Sequence, residues 1–211
     1  MNSAQFPDDG VSDDAATYSL LEQVKEFHFE KSKILITGGG GFLGKALVRV
    51  LLDAGATVRT FARGAYPELE EWGCEHIRGD LTDLQSIDAA VAGMDLVFHV
   101  AGIVKPFGDP AEFDAINIQG TEHVIQACQN HRVHRLVFTS TPSVVHDGTD
   151  TRGATEEKPY PQKFLCDYFR SKAAAEKLLL ASDGAAFTDV QSAASSDDDK
   201  DIQNKSNTVR T

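Results

Sequence analysis

The stretch KILITGGGGFLGKALVRVLLDAG, residues 33–55, decides the fold. Residues 33–37 form a short apolar run of β type, and from Phe42 to Asp53 the apolar positions recur at helical spacing. Gly55 then stops the helix. Between strand and helix stand four glycines. Gly38, Gly41 and Gly44 fit the spacing TGxxGxxG, while Gly39, Gly41 and Gly44 fit GxGxxG. A turn without side chains lets backbone N–H groups approach a pyrophosphate, and the helix N-terminus behind it favours the negative charge. Gly44 is placed to let the helix pack closely on the sheet. A glycine-rich turn also serves plain tight packing, but a strand before it and a helix after it are the setting of a dinucleotide-binding loop.

Outward from that loop the same alternation continues. TVRTFA (57–62) is the next strand, and strand-like runs recur at 74–78, 95–101 and 135–140. Helical patterns fall between them at 83–92 and 112–131, the second with Ile116, Val124, Ile125 and Cys128 turned inward. A last helix is predicted over 165–181. Strands this apolar on both faces, joined by helices, predict a doubly wound α/β fold of Rossmann type with a parallel sheet.

The end of the second strand bears on the cofactor. NAD-preferring sites place Asp or Glu there to hold the ribose 2′-hydroxyl. Here the segment reads Thr60-Phe61-Ala62-Arg63, without an acid. The planar fork of Arg63 suits a 2′-phosphate. The expectation is NADP, with NAD as the other nicotinamide cofactor the loop would take.

Beyond residues 31–182 the composition changes. Residues 1–30 carry seven acids against Lys25 and read as an acidic arm, with a short amphipathic helix at 17–28 built on Leu20, Leu21, Val24 and Phe27. Residues 183–211 are rich in Ser, Asp and Asn and read as a disordered acidic tail. These ends carry most of the net charge of −12. Such a balance argues against a general nucleic-acid binder and against attraction to anionic membranes. Cys74, Cys128 and Cys166 form no CxxC pair, and no His stands at metal-ligand spacing, so no metal site is expected and the thiols read as reduced. MNSAQFPDDGVSDDAA lacks the basic and apolar regions of a signal peptide, and the longest apolar run, 96–104, is too short for a membrane span. A soluble cytoplasmic protein is expected.

Tyr168 and Lys172 stand four apart on the last predicted helix and share one face. A phenol ordinarily holds its proton to about pH 10. A neighbouring ammonium favours the phenolate, so such a pair can give a proton to a carbonyl oxygen or take one from an alcohol. FTSTPSVV (138–145) ends a strand and offers four hydroxyls to hold a substrate oxygen: Thr139, Ser140, Thr141 and Ser143. Asn117, on the preceding helix, is a candidate to orient a water or a backbone group near the lysine.

Together these residues resemble the extended short-chain dehydrogenase/reductases, and within them the 3β-hydroxysteroid dehydrogenase-like branch, from about Lys33 to Leu180. The resemblance implies that TGGGGFLG is the nucleotide loop, with Gly38, Gly41, Phe42, Leu43 and Gly44 on the cofactor. GDLTD (79–83) would put Asp80 and Leu81 beside the adenine, and FHVAG (98–102) would line the cofactor with Val100, Ala101 and Gly102. NIQGT (117–121) carries the family's asparagine onto Asn117. The catalytic Ser/Thr falls on Thr141, and YFRSK carries the catalytic pair onto Tyr168 and Lys172, both also touching the cofactor. GGGGFLGKAL, AYPELEEWG, IRGDLTD and RLVFTSTPSVVH further resemble the 2-alkyl-3-oxoalkanoate reductases, which use NADPH.

The implied activity is hydride transfer between the nicotinamide and a small 3-oxo or 3-hydroxy substrate, with room for a homodimer. In the superfamily the chain goes on to a sixth strand, an Arg-Pro turn and a smaller substrate domain; here that approach dissolves into the acidic tail, so a truncated and catalytically weak nucleotide-binding protein is a second expectation. A sugar-nucleotide epimerase or dehydratase using NAD is a third.

Overall fold

The computed structural model describes residues 29–105, 107–149 and 157–182. The expected N-terminal arm with its 17–28 helix, and the expected tail, lie outside the described residues. Five strands, β1 (Lys33–Thr37), β2 (Thr57–Ala62), β3 (Glu75–Arg78), β4 (Leu96–His99) and β5 (Arg135–Phe138), form one sheet in the order β3-β2-β1-β4-β5. Every neighbouring pair is parallel. This is the doubly wound Rossmann arrangement, whose strand order reverses beside β1.

The alternation of a strand explains the core. Leu35, Phe61 and Val97 turn to one face of the sheet, where they meet Ile87 and Val91 of α3 (Leu84–Val91) and Val124 of α5 (Gly120–Asn130). Ile34, Ile36, Val58 and Leu96 turn to the other, against Val48 and Leu51 of α1 (Phe42–Asp53). Successive side chains of a strand point to opposite faces, so a sheet covered on both sides needs apolar residues at every position. β1, at the centre, buries Ile34, Leu35 and Ile36 completely. Gly55 closes α1 as the sequence predicts: its N–H and that of Ala56 bond the carbonyls of Leu52 and Leu51.

Several boundaries differ from the sequence reading. β3 starts at Glu75 instead of 74, β4 spans Leu96–His99 instead of 95–101, and β5 stops at Phe138 instead of running to residue 140. Beyond His99 the chain leaves the ladder: the Ala101 N–H bonds the Thr37 side chain, not a strand carbonyl. A one-turn helix, α2 (Pro67–Glu71), was not expected; Pro67 at its first position is the signal it offers. The helix predicted over 112–131 is interrupted. α4 (Pro110–Phe113) is capped by Asp109, a π-helical turn follows over Asp114–Gln119, and α5 then runs to Asn130. Within this region the Thr121 hydroxyl donates to the Asn117 carbonyl (2.7 Å), a side chain working on the helix ladder. Of the residues expected inward, Val124 and Cys128 are buried, while Ile116 and Ile125 are half-buried against the core. Thr141 caps a 3₁₀ turn, Pro142–Val145, and α6 spans Asp167–Ser182. Among the described residues no helix is long and apolar enough to cross a membrane.

Candidate active site

The C-terminal ends of β1, β2, β3 and β4 open into a cleft of ≈ 470 Å³. Its floor is the glycine loop. Gly38 has φ +72°, and a Cβ there would stand 2.9 Å from the Ala101 backbone. At Gly44 a Cβ would stand 2.2 Å from the Gly38 carbonyl oxygen, so glycine is required for α1 to start this close to the turn. Gly41 is the N-cap of α1, which starts with no side-chain cap and no acid in its first turn. Its first N–H groups therefore face the cleft uncompensated, which is the condition for holding an anion.

The remaining predicted cofactor positions line the same cleft: Phe42 and Leu43 from α1, Arg63 after β2, Asp80 and Leu81 after β3, and Val100, Ala101 and Gly102 after β4. Arg63 is exposed at the mouth. The Asp80 carboxylate accepts from the Thr82 N–H and hydroxyl (both 2.9 Å), which fixes the turn. Sequence reasoning passed over Tyr66, Lys105 and Glu112, which line the cleft too. Tyr66 stands in the quoted stretch AYPELEEWG without a role assigned to it, Lys105 and Glu112 lie outside any quoted stretch, and only the fold brings the three to the cleft. Tyr66 stacks beside the loop, with the Lys45 ammonium 5.4 Å from its ring and the His76 ring edge-on at 5.6 Å. Lys105 and Glu112 form an ion pair (3.0 Å) across the mouth.

Tyr168, Lys172, Asn117 and Thr141 stand outside that lining, on the side of β5 and α6. Lys172 is buried, donates to the Thr139 carbonyl (2.6 Å) and lies 3.9 Å from the centre of the Phe138 ring. Burial pulls its ammonium down to about 8, against which the Glu176 charge acts in the opposite direction. Asn117, buried in the π turn, holds both backbone groups of Ile103: its Oδ1 accepts from the N–H (2.8 Å) and its Nδ2 donates to the carbonyl (3.2 Å). The same Nδ2 donates to the Ser171 hydroxyl (3.0 Å), and Ser171 donates to the Tyr168 carbonyl. Asn117 thus ties the loop after β4 to the helix of the tyrosine–lysine pair.

The four hydroxyls after β5 are separated by their partners. Ser140 is occupied by the Glu176 carboxylate. Thr141 accepts weakly from the Ser143 N–H and donates to the Ser143 hydroxyl (both 3.3 Å). Tyr168 is half-buried, with its ring edge-on to Phe169 at 6.0 Å. Among the described residues no hydrogen bond joins its hydroxyl to Thr141 or Lys172.

Behind these groups runs a buried polar chain that sequence reasoning missed. Thr121 donates to the Asn117 carbonyl, so its oxygen accepts from His99 Nε2 (3.0 Å). His99 then carries its proton on Nε2, and Nδ1 accepts from the Thr37 hydroxyl (2.7 Å), whose oxygen accepts from the Ala101 N–H. Every member is satisfied, and the ring is neutral, its pKa drawn down to about 3 by burial and by the Lys172 charge. The thiols take no part: burial pushes Cys128 up to about 12 and raises Cys74. Among the described residues no cluster of His, Cys, Asp and Glu could hold a metal ion.

The chain is similar to known proteins in sequence and fold. The chain is 46% identical over 161 residues to the 2-alkyl-3-oxoalkanoate reductase of Stenotrophomonas maltophilia, covering 75% of this chain and 48% of that one. It is 39% identical over 167 residues to a 3 beta-hydroxysteroid dehydrogenase/Delta 5-->4-isomerase of Mycobacterium tuberculosis, covering 74% and 44%. The chain thus spans about half the length of the curated relatives it matches. Its fold superposes on the UDP-glucose 4-epimerase of Thermus thermophilus in complex with NAD, with a TM-score of 0.64 and 29% identity over 71% of this chain and 50% of that one. The sequence model of the 3-beta hydroxysteroid dehydrogenase/isomerase family matches residues 35–194, and to that family the chain belongs.

Proposed function

We propose that the chain is the cofactor-binding and proton-transferring part of an oxidoreductase that interconverts 3-oxo and 3-hydroxy substrates of the 2-alkyl-3-oxoalkanoate or 3β-hydroxysteroid type, with NADP as cofactor. One observation carries the reading. A cleft floored by side-chain-free backbone and an uncapped helix stands beside a helix whose buried lysine is fixed on the end of β5. The residues present fit a dinucleotide: a Cβ at Gly38 or Gly44 has no room, and no acid opposes phosphate at the start of α1.

When bound, the nicotinamide supplies or receives the hydride. In this reading Gly41, Phe42 and Leu43 hold the pyrophosphate, Asp80 and Leu81 flank the adenine, and Val100 to Gly102 line the far side. Arg63 reads the 2′-phosphate, since the segment that ends β2 carries no acid of its own to hold a bare hydroxyl. Tyr168 gives its proton to the substrate oxygen in reduction and takes it back in oxidation. Lys172 supplies the positive charge that favours the phenolate and reaches the ribose. Thr141 orients the substrate oxygen, and Asn117 fixes the Ile103 backbone beside them. Titration with NADPH and NADH tests the cofactor assignment: Arg63→Ala is expected to weaken NADPH about tenfold or more, as loss of a bidentate phosphate contact does, and to leave NADH unchanged. Equal losses would remove Arg63 from the 2′-phosphate. Reduction of a 2-alkyl-3-oxo acid, followed by NADPH consumption, is expected to disappear in Tyr168→Phe.

The likeness to an NAD-bound 4-epimerase favours one second reading, a sugar-nucleotide enzyme with NAD. Tighter binding of NADH than NADPH, with turnover of a nucleotide sugar and none of a 3-oxo acid, would establish it instead.

A further inference from the structure

We propose that Glu176 is a positioning residue of this site: from the buried face of α6 its carboxylate holds the hydroxyls of Ser140 and Tyr160 and supplies the counter-charge to Lys172. The proposal rests on the role given to Lys172 above. Glu176 is 1% exposed and stands one helical turn beyond Lys172, on the same face. A carboxylate is costly to bury and is retained where it is hydrogen-bonded and paired. Both of its oxygens are engaged: Oε2 accepts from the Ser140 hydroxyl, and Oε1 from the Tyr160 hydroxyl (2.7 Å).

Ser140 is the residue between the two that matter. Thr139 before it offers the carbonyl that receives the Lys172 ammonium, and Thr141 after it carries the hydroxyl assigned to the substrate. Holding Ser140 therefore sets the position of both. Tyr160 is held from the other side by Lys177, whose ammonium is 4.5 Å from its ring, so the segment leading into α6 is fastened to the helix at this point.

The charge matters as much as the geometry. Lys172 lies over the Phe138 ring, which attracts an ammonium, but its burial disfavours the charge. The other ionisable groups on the elements around it are engaged elsewhere or turned away. His99 on β4 is neutral within its threonine pair, and Arg170 holds Asp114 of the π turn and Asp167. Glu112 of α4 pairs with Lys105, His123 of α5 donates to the Leu81 carbonyl, and Glu122 is exposed. Arg135 begins β5, at the end of the strand away from Thr139, and the 3₁₀ turn has no titratable residue. Among the described residues Glu176 is the acid that acts on Lys172.

The test uses the 211-residue chain and its Glu176→Gln variant, which keeps the volume and one acceptor while removing the charge. Lysines are reductively ¹³C-methylated, and the Lys172 signal, assigned by its absence from Lys172→Met, is followed through a pH titration. The expected midpoint is near 8 in the parent chain and lower by about one unit in the variant, a tenfold shift in the proton equilibrium. With a 2-alkyl-3-oxo acid and NADPH, kcat is expected to fall about tenfold at unchanged KM, and its alkaline limb to move to lower pH. An unmoved Lys172 midpoint in folded Glu176→Gln overturns the counter-charge. Should that variant not fold, Ser140→Ala with Tyr160→Phe leaves the carboxylate and removes both hydroxyls. Backbone amides of residues 139–141 are then expected to exchange about tenfold faster, and unchanged exchange overturns the positioning. A parent chain that turns over no 3-oxo acid contradicts the proposed function, while the Lys172 titration still decides this one.

Discussion

The two sides of the site are made from opposite materials. Around the glycine loop the protein offers backbone and empty space: Gly38, Gly41 and Gly44 are defined by the side chains they lack, and α1 starts without a cap. Across β4 and β5 the construction is all buried side chains, with Asn117, His99, Thr121, Ser171, Lys172 and Glu176 each under a tenth exposed and each bonded. The first side is open space beside an uncapped helix start. The second fixes a few polar atoms to within the tolerance of a hydrogen bond and has little slack to give. Under the proposed function, binding falls to the open side and proton handling to the packed one.

The largest expected effects break the first side. In Gly44→Ala the new Cβ would stand 2.2 Å from the Gly38 carbonyl, so α1 must move. Thermal unfolding should show a loss of about 2–4 kcal/mol, with NADPH binding abolished in titrations. Gly41→Ala sharpens the comparison, because its Cβ would meet only the Gly38 oxygen at 3.3 Å. That variant should lose at most about 1 kcal/mol of stability and still lose cofactor affinity about tenfold or more, since a methyl is added to the turn whose backbone must approach phosphate.

On the packed side, Asn117→Ala leaves the Ile103 N–H and carbonyl without their partners. Denaturant unfolding should register about 2–3 kcal/mol, and the loss should appear without cofactor as well as with it. The pH dependence is smaller and has a definite sign. His99 is held near 3 in the fold against 6.5 unfolded, so below pH 6.5 the unfolded chain binds the extra proton and stability falls towards pH 3. Lys172 is held near 8 against 10.5, so the unfolded chain binds more protons between those values and stability rises from pH 8 to 10.5. His99→Gln should flatten the acid limb and Lys172→Met the alkaline rise, by at most a few kcal/mol each. Identical slopes in parent and variants would remove these two groups as the cause.

The open side was legible because its requirements are local. Four glycines between a strand run and a helix run state the turn and the close approach within a dozen residues, and the parallel sheet followed from the repeated alternation. Arg63 could be placed because the end of β2 is fixed by the same rhythm. The packed side depends on contacts across the chain. Asn117 meets Ile103 and Ser171, the second 54 positions away. Nothing in the sequence marks Glu176 as buried; its burial depends on Ser140 and Tyr160 arriving from elsewhere. His99 interrupts the apolar 96–104 run, and no propensity tells that two threonines satisfy it. The π turn has no compositional signal either, and the segment reads as plain helix.

That turn bears on how the chain can change over time. A π-helical turn carries one residue more than an α-helix needs over the same span, so Asp114–Gln119 behaves as a one-residue insertion built into the helix. Deleting a single residue there would restore ordinary α pitch between α4 and α5 and shift the residues of the turn itself around the helix by up to about 100°. α5 would keep its seat against the sheet, while Asn117, inside the turn, would swing away from Ile103. Length variation tolerated in the surface loops would therefore be lethal to the site here, and a deletion scan through residues 109–121 should show a sharp intolerant window centred on the turn.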